Sequence, residues 1–170
     1  LKLAVVSSRD EEKVKRDLPD VLVVATPEEA IQHPDIDLVV IASPNATHAP
    51  LATLALNAGK HVVVDKPFTL DMQEARDLIA LAQEKQRLLS VFHNRRWDSD
   101  FLGIKQVIEQ GRIGKVKHFE SHIDRFRPEV RVRWREQNVP GSGLWFDLGP
   151  HMIDQTLQLF GLPQSVQGNI

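Results

Sequence analysis

The stretch HVVVDKPFTL, His61 to Leu70, is a short apolar run that ends in a charged pair and a proline. A run of this length, bounded by turn residues, is typical of a buried β-strand. Lys66 follows the strand at once, and Pro67 favours an extended backbone at Lys66. Because ligands of open α/β sheets bind outside the carboxyl ends of the strands, Lys66 is either a functional lysine or a solvated turn residue.

Strand-like and helix-like segments alternate on both sides of this stretch. The apolar runs are LKLAVVS, VLVVAT, DLVVIAS, HVVVD and LLSVF, and the helix-like segments are PEEAIQH, ATHAPLATLALNAG and LDMQEARDLIALAQEKQ, the last with Thr69 as its expected cap. Strands separated by helices predict parallel pairing with right-handed crossovers. The fold class is therefore α/β, a doubly wound Rossmann-like parallel sheet, which we expect to be incomplete at its N-terminus because Leu1 already lies in a strand.

The pattern changes after Phe92. The segment DSDFLGIKQVIEQGRIG predicts one more amphipathic helix, and KVKHFESHIDRFR then alternates polar and apolar residues as a half-exposed strand does. A loop, GSGLWF, leads into the helix LWFDLGPHMIDQTLQLFG, and the short apolar stretch QSVQGNI ends the sequence. We predict a dinucleotide-binding domain over residues 1–113, and over 114–170 the start of an α+β substrate domain with a largely antiparallel sheet.

Composition narrows the classes of partner. The 170 residues carry a formal net charge of −2, which provides no basic field for nucleic acid or an anionic membrane. No apolar run approaches the ~20 residues of a membrane-spanning helix. The chain has no cysteine, in keeping with a reducing compartment. We expect a cytoplasmic protein that acts on a small molecule and binds neither nucleic acid nor membrane.

Three side chains carry the strongest chemistry. Asp147 and His151 are four residues apart and share one face of a helix, although Pro150 could start or kink that helix between them. Together with the ammonium group of Lys66, they could divide a proton transfer on one substrate. Taken singly, each has a plainer reading, since a lysine at a strand end is usually solvated and an Asp–His pair usually lies on the surface.

Three longer stretches, SPNATHAPLATLALNAGKHVVVDKPFTL, SVFHNRRWDSDF and GSGLWFDLGPHMIDQTLQLFG, together resemble the Gfo/Idh/MocA family of NAD(P)-dependent oxidoreductases. Asp65 departs from the family's usual Glu-Lys-Pro. The resemblance implies that Lys66 lies beside the reacting carbon and the nicotinamide, that Asp147 contacts substrate, and that His151 is the main acid/base. It also implies a sugar or polyol substrate, a homo-oligomer, and a Lys66–Pro67 bond that can be cis.

The same resemblance implies the cofactor contacts. Ser7, Ser8 and Arg9 follow a strand and favour NADP, whereas an acidic residue there would favour NAD. The further cofactor-binding residues expected are Ser43, Pro44, Asn45, His48, Asp65, Lys66, Pro67 and Arg95. A plain turn would explain Pro44 and Asn45 equally well, and Arg95 could instead form an exposed interdomain salt bridge.

Other readings stay open at this point. One face of the predicted strand carries His118, Glu120 and His122 at alternate positions. As metal ligands these residues would indicate a metal-dependent hydrolase, although we predict no metal site. A non-catalytic nucleotide-sensing or interaction module would keep the fold without turnover. The family's Gly-x-Gly-x-x-Gly loop is absent, so we expect a fragment that either associates through an open sheet edge or is ordered only as part of a longer chain, and that binds NADP poorly.

Two tryptophans, Trp97 and Trp134, are each expected to serve packing rather than recognition. The segment RVRWREQNVPGSG, which contains Trp134, could instead cover the pocket as a lid.

Overall fold

The structure, a computed structural model, describes residues 1–124 and 126–169. It divides into two compact units, Leu1–Phe92 and His93–Ile170. The division falls earlier than the boundary expected near Gly114, because the helix Ser99–Glu109 packs on the 3₁₀ turn Asn94–Trp97, which in turn contacts the long helix of the second unit.

The first unit has the alternating order that the sequence predicts. Its strands are β1 Val5–Ser7, β2 Leu22–Val24, β3 Leu38–Ile41, β4 His61–Asp65 and β5 Leu89–Phe92, and its helices are α1 Glu11–Asp17, α2 Pro27–Gln32, α3 His48–Asn57 and α4 Met72–Glu84. Every strand pair is parallel, in the orders β1-β2 and β3-β4-β5. The prediction of an α/β fold with parallel strands is confirmed.

Helix α1 was not among the helix-like segments, although its signals are present in the sequence. Asp10 caps it by accepting a hydrogen bond from the backbone N–H of Lys13 at 2.9 Å. The cap of α4 differs from the expected Thr69. The Asp71 carboxylate accepts from the N–H of Gln73 at 2.6 Å, and the Thr69 hydroxyl donates to the Asp71 carbonyl instead. A charged oxygen adjoining the first helical residue is the stronger acceptor for these free N–H groups.

The core of the first unit lies between β3-β4-β5 and the helices α2, α3 and α4. Its buried members are Ile31, Ile41, Ala52, Ala55, Leu56, Val62, Val64, Leu78 and Ala82. Each large aliphatic side chain contributes about 1.5–3 kcal/mol by leaving water. This core holds β3 and β4 side by side, so the loops after the two strands emerge at the same edge of the sheet.

The two sheets of the first unit flank an apolar cleft. It has a volume of about 430 Å³ and is lined by the residues of β1 and β3 with part of α2. Val40 of β3 lines it with 65% of its surface exposed, and Leu3, just before β1, is 57% exposed. The edge of β1 that does not pair with β2 is therefore a hydrophobic surface, as the continuous apolar run LKLAVV leads one to expect.

The second unit contains two helices, α5 Ser99–Glu109 and α6 Gly143–Phe160, and a 3₁₀ turn at Trp134–Glu136. The segment 115–127 was predicted to be a strand, but no strand is assigned to its described residues, which exclude Arg125. Burial still alternates from Phe119 to Asp124, and Phe119 packs on Phe160 with ring centroids 5.3 Å apart. A strand requires a ladder partner, and none pairs with this segment in the part of the chain that is described.

Helix α6 is continuous through Pro150, so this proline neither starts nor ends it. The loop prediction for GSGLWF holds as far as Ser142, the N-cap residue of α6. The last residue of QSVQGNI, Ile170, lies outside the described residues. Within the described chain, no helix is both long and apolar enough to cross a membrane.

Candidate active-site residues

The end of β1 presents two hydroxyls and a guanidinium. Ser7 is the last residue of the strand, and the Ser8 hydroxyl donates to the carbonyl of Asp10 at 3.2 Å and accepts from its N–H at 3.1 Å. This turn leads into α1 and leaves Arg9 exposed. An exposed guanidinium beside hydroxyl groups suits a phosphate chemically, because both can donate hydrogen bonds to its oxygens.

The loop after β3 closes on itself. Ser43 and Thr47 share a hydrogen bond between their hydroxyls, and the 3₁₀ turn Asn45–Thr47 passes directly into α3. Asn45 is buried within the turn, whereas Pro44 is exposed. The loop thus keeps a fixed backbone at the carboxyl end of a parallel strand, which is where a dinucleotide binds in this class of fold.

His48 joins the loop after β3 to the loop after β4. The side chain is 1% exposed, with Nδ1 at 2.8 Å from the Pro67 carbonyl oxygen and Nε2 at 3.0 Å from the Ser43 carbonyl oxygen. A neutral imidazole carries one N–H and donates to one of these oxygens at a time. His48, predicted as a cofactor contact, therefore has both ring nitrogens facing backbone carbonyl oxygens inside the protein.

The loop after β4 carries Lys66, the lysine predicted to be functional. The Asp65 carboxylate accepts from the backbone N–H of Lys66 at 2.8 Å, and the Lys66–Pro67 peptide bond is cis. Pro67 is buried and its carbonyl oxygen faces His48. The structure thus brings Ser43, His48 and Lys66 to one edge of the three-stranded sheet.

In the second unit, one face of α6 carries the predicted proton-transfer pair. His151 is 6% exposed, and Asp147 lies one helical turn before it. Asp147 also faces Arg135, with Nε of the arginine 3.6 Å from Oδ1 of the aspartate. A buried imidazole beside a carboxylate can take up or release a proton at a defined atom.

Asp154 extends this face by one more turn and was not identified from the sequence. It is 7% exposed and accepts two hydrogen bonds from Arg96, at 2.8 Å from Nε and at 2.6 Å from Nη2. These bonds raise the pKa of Arg96, which stays charged. The heptad-like spacing of Asp147, His151 and Asp154 is a signal that could have revealed the residue, but the partner lies 58 positions earlier in the sequence.

His93 lies beside this ion pair. Its Nδ1 is buried with no hydrogen-bond partner among the described residues, at 3.9 Å from Oδ1 of Asp154. Burial lowers the pKa of His93, and the charge of Arg96 adds to that effect while Asp154 opposes it. His93 is therefore neutral at neutral pH, and its contact with Asp154 is not an ion pair.

Arg95 has a local partner. Its Nη1 lies 2.9 Å from Oδ2 of Asp98, and its carbonyl oxygen accepts a hydrogen bond from Nε2 of Gln155 at 3.0 Å. Both partners belong to the second unit, so the ion pair formed here is not the interdomain bridge considered from the sequence. The cofactor contact predicted for Arg95 stays a prediction.

The alternating histidines 118 and 122 both face Glu120. His118 Nε2 lies 2.9 Å from Oε1 of Glu120, and His122 Nε2 lies 3.4 Å from Oε2. The hydrogen bond from His118 lowers the pKa of Glu120, and His122 adds to the effect. Among residues 1–124 and 126–169, no set of three or more His, Cys, Asp or Glu side chains is arranged to hold a metal ion.

The segment considered as a lid borders a small cavity beside Asp147. The cavity measures about 240 Å³, and its charged lining residues are Arg133, Arg135, Glu136 and Asp147. Trp134 is half-buried under the Arg135 guanidinium, which lies 4.7 Å from the ring centroid. Trp97, expected to pack, is instead 72% exposed at the end of the 3₁₀ turn Asn94–Trp97.

The parallel sheet and the loops at its carboxyl edge define a nucleotide-binding Rossmann fold, and comparison with known families agrees. Residues 1–93 match the family described as "Oxidoreductase family, NAD-binding Rossmann fold", and residues 101–170 match the "GFO/IDH/MocA C-terminal domain". The chain belongs to the Gfo/Idh/MocA family of oxidoreductases, as the sequence resemblance predicts.

Individual relatives support this assignment. The chain is 62% identical to the uncharacterized oxidoreductase YdgJ of Escherichia coli, over 96% of this chain and 47% of the relative. It is 46% identical to the scyllo-inositol 2-dehydrogenase (NADP(+)) IolW of Bacillus subtilis, over 98% of this chain and 46% of the relative. A crystal structure described as an oxidoreductase from Klebsiella pneumoniae is 81% identical, with a TM-score of 0.89 over 99% of this chain and 46% of that one. The chain thus spans about half the length of these relatives.

Proposed function

We propose that this protein transfers a hydride between a nicotinamide cofactor, preferably NADP(H), and a sugar, a polyol or a related small hydroxy or keto compound. The observation that carries the proposal is the combination of an NAD-binding Rossmann fold over residues 1–93 with a buried histidine, His151, one helical turn from the carboxylate of Asp147. The Rossmann fold would bind the redox cofactor, and His151 with Asp147 would handle the proton that accompanies hydride transfer.

The donor groups at the carboxyl edges of the strands fit a dinucleotide. We propose that Ser7, Ser8 and Arg9 bind the adenosine end, with the Arg9 guanidinium on a 2′-phosphate, which favours NADP over NAD. The loop Ser43–Asn45 and the turn Asp65–Pro67 would line the remainder of the cofactor. When bound, the nicotinamide supplies the hydride exchange. The name of IolW, an NADP-dependent relative, supports the preference.

The protein's own groups then handle placement and the proton. We propose that His151 accepts the proton of the substrate hydroxyl at an imidazole nitrogen during oxidation and returns it during reduction. Asp147 would accept a hydrogen bond from a substrate hydroxyl, and the Lys66 ammonium would donate one to the oxygen of the reacting carbon. Burial of His151 suits this role because an imidazole shielded from water exchanges its proton with a bound group rather than with solvent.

A polyhydroxylated ring is the substrate class best supported, because the 46% identical relative IolW is named for scyllo-inositol. We place the activity in the cytoplasm and in a homo-oligomer. The absence of cysteine supports a reducing compartment. The localisation and the oligomeric state do not affect the proposed chemistry.

The test is an activity screen of the purified full-length gene product. Inositols, aldoses and their keto products are offered with NADP⁺ and with NAD⁺, and formation of reduced nicotinamide is followed. We expect turnover of at least one polyol, faster with NADP⁺. Tight cofactor binding by titration without turnover of any member would instead support a non-catalytic nucleotide-sensing module. No cofactor binding at all would refute the proposal.

A further inference from the structure

We infer that Arg96, acting through Asp154, is a positioning residue for His151: the ion pair, here named the Arg96–Asp154 clamp, holds the turn of α6 that carries the histidine. The inference rests on the proposed proton-transfer role of His151 and adds residues to it. Neither Arg96 nor Asp154 is proposed to touch the substrate.

Helix α6 is weakest immediately before His151. Pro150 lies inside the helix and has no N–H, so the carbonyl of Phe146 loses its usual helical donor. Gly149 precedes it, and glycine costs a helix interior about 1 kcal/mol relative to alanine. The helix's own hydrogen bonds therefore hold the turn at His151 less firmly than the turns on either side of it, and an external contact has to fix that turn.

Two contacts from the 3₁₀ turn Asn94–Trp97 meet α6 in the turn that follows His151. Arg96 makes two hydrogen bonds to Asp154, at 2.8 and 2.6 Å, and the Arg95 carbonyl accepts from Gln155 at 3.0 Å. Asp154 is three residues from His151, so the two buried side chains share one face of the helix. Fixing Asp154 therefore fixes the rotation of the helix that aims the imidazole.

The geometry of the clamp requires arginine. A guanidinium presents two parallel donors to a carboxylate and sets its orientation, whereas an ammonium makes a point contact that leaves the carboxylate free to rotate. The neutral ring of His93 also lies beside Asp154, with Nδ1 at 3.9 Å from Oδ1. Arg96 is therefore the one cation within ion-pair distance of Asp154 among the described residues.

The experiment compares three variants of the full protein. Arg96→Lys keeps the charge and removes the paired geometry. Arg96→Met with Asp154→Leu removes both charges together, which avoids leaving Asp154 buried and uncompensated and so preserves folding. Lys105→Met is the matched control, because the ion pair that it breaks on α5, with Glu109, includes neither Arg96 nor Asp154.

Turnover is measured per folded site, together with KM and the melting temperature. We expect the double variant to melt near the unchanged protein while its kcat falls about tenfold to a hundredfold, since a misplaced acid/base group costs rate more than binding. The kcat of Arg96→Lys should lie between those of the unchanged protein and the double variant. The kcat of Lys105→Met should remain within about twofold of the unchanged protein. A double variant with near-normal kcat would overturn the clamp.

A second readout does not depend on turnover. In protein with ¹³C-labelled histidine, the His151 imidazole signal, assigned with His151→Asn, should be single in the unchanged protein and in Lys105→Met. It should broaden or split in the double variant. An unaltered His151 signal in the double variant would overturn the clamp even if no substrate is turned over, whereas a protein that turns over no polyol but shows the broadening refutes only the proposed function.

Discussion

Nδ1 of His48 lies 2.8 Å from the carbonyl oxygen of Pro67, and this contact connects the loops that follow two neighbouring parallel strands. The other ring nitrogen faces the Ser43 carbonyl at 3.0 Å. A single buried side chain therefore sets the spacing between the predicted cofactor loop at Ser43 and the predicted catalytic loop at Lys66. We expect His48 to affect function because it orders the backbone of both loops.

Replacing His48 with phenylalanine should destabilise the first unit. The ring volume is roughly kept, but the carbonyl oxygen that accepts from the imidazole N–H loses its donor, which costs about 1–3 kcal/mol for a buried group left unpaired. Denaturant unfolding measures the change. His118→Phe, at a side chain 78% exposed, is the control and should change stability little. Equal stabilities for the two variants would contradict the role assigned to His48.

In the full-length protein, Lys66→Ala and His151→Ala should each lower turnover by about a hundredfold or more, the usual contribution of a positioned acid/base group. Cofactor affinity, measured by titration, should survive His151→Ala. Lys105→Ala serves as the control for loss of an exposed ammonium. If both variants kept near-normal turnover on a true substrate, the catalytic assignment would be wrong.

Arg9→Ala should weaken NADP binding about tenfold or more and leave NAD binding almost unchanged, because only NADP carries the 2′-phosphate that a charge-assisted hydrogen bond would hold. Isothermal titration with each cofactor gives the two affinities. Arg16→Ala removes an exposed arginine from the last turn of α1 and should affect neither. Equal losses for NADP and NAD in Arg9→Ala would show that Arg9 is a solvated loop residue.

Stability should fall as the pH drops below 6.5, the ordinary histidine pKa, because burial lowers the pKa of His93 in the folded state. The unfolded chain then binds the proton more readily than the folded chain does. The stability that neutral His93 contributes is therefore complete above pH 6.5 and is lost as the pH falls through the pKa of His93 in the folded state. Arg96 supports this direction and Asp154 opposes it. His93→Gln should show a shallower decrease in the free energy of unfolding, and parallel curves for the two proteins would refute the assignment.

The isolated 170-residue polypeptide should self-associate through the apolar cleft beside β1 and β3. Val40→Lys places a charge in that cleft, where an exposed sheet edge otherwise invites pairing, and should shift the protein toward monomer in analytical ultracentrifugation. Ile79→Lys changes an exposed residue of α4 outside the cleft lining and should not. A monomeric unchanged polypeptide would contradict this expectation.

Several features could be predicted from residue order because they depend on neighbours in the chain. The runs VLVVAT, DLVVIAS and HVVVD predict buried parallel strands, and the 3.6-residue period predicts α4 and α6. The i, i+4 spacing places Asp147 and His151 on one face for the same reason. The motif resemblance predicts the family, which the matches over residues 1–93 and 101–170 confirm.

Other features required the tertiary structure because they join residues far apart in sequence. The His48–Pro67 contact spans 19 positions and the Arg96–Asp154 clamp spans 58. No local pattern shows which carbonyl a buried imidazole will meet, or which arginine a buried aspartate will select. The alternation of residues 115–127 indicates an extended segment, but a strand also needs a partner, and only the packing of the second unit determines whether one is present. The sequence by itself thus determined the parallel strands of the first unit, the helices α4 and α6 and the family, while the tertiary structure decided which polar groups meet.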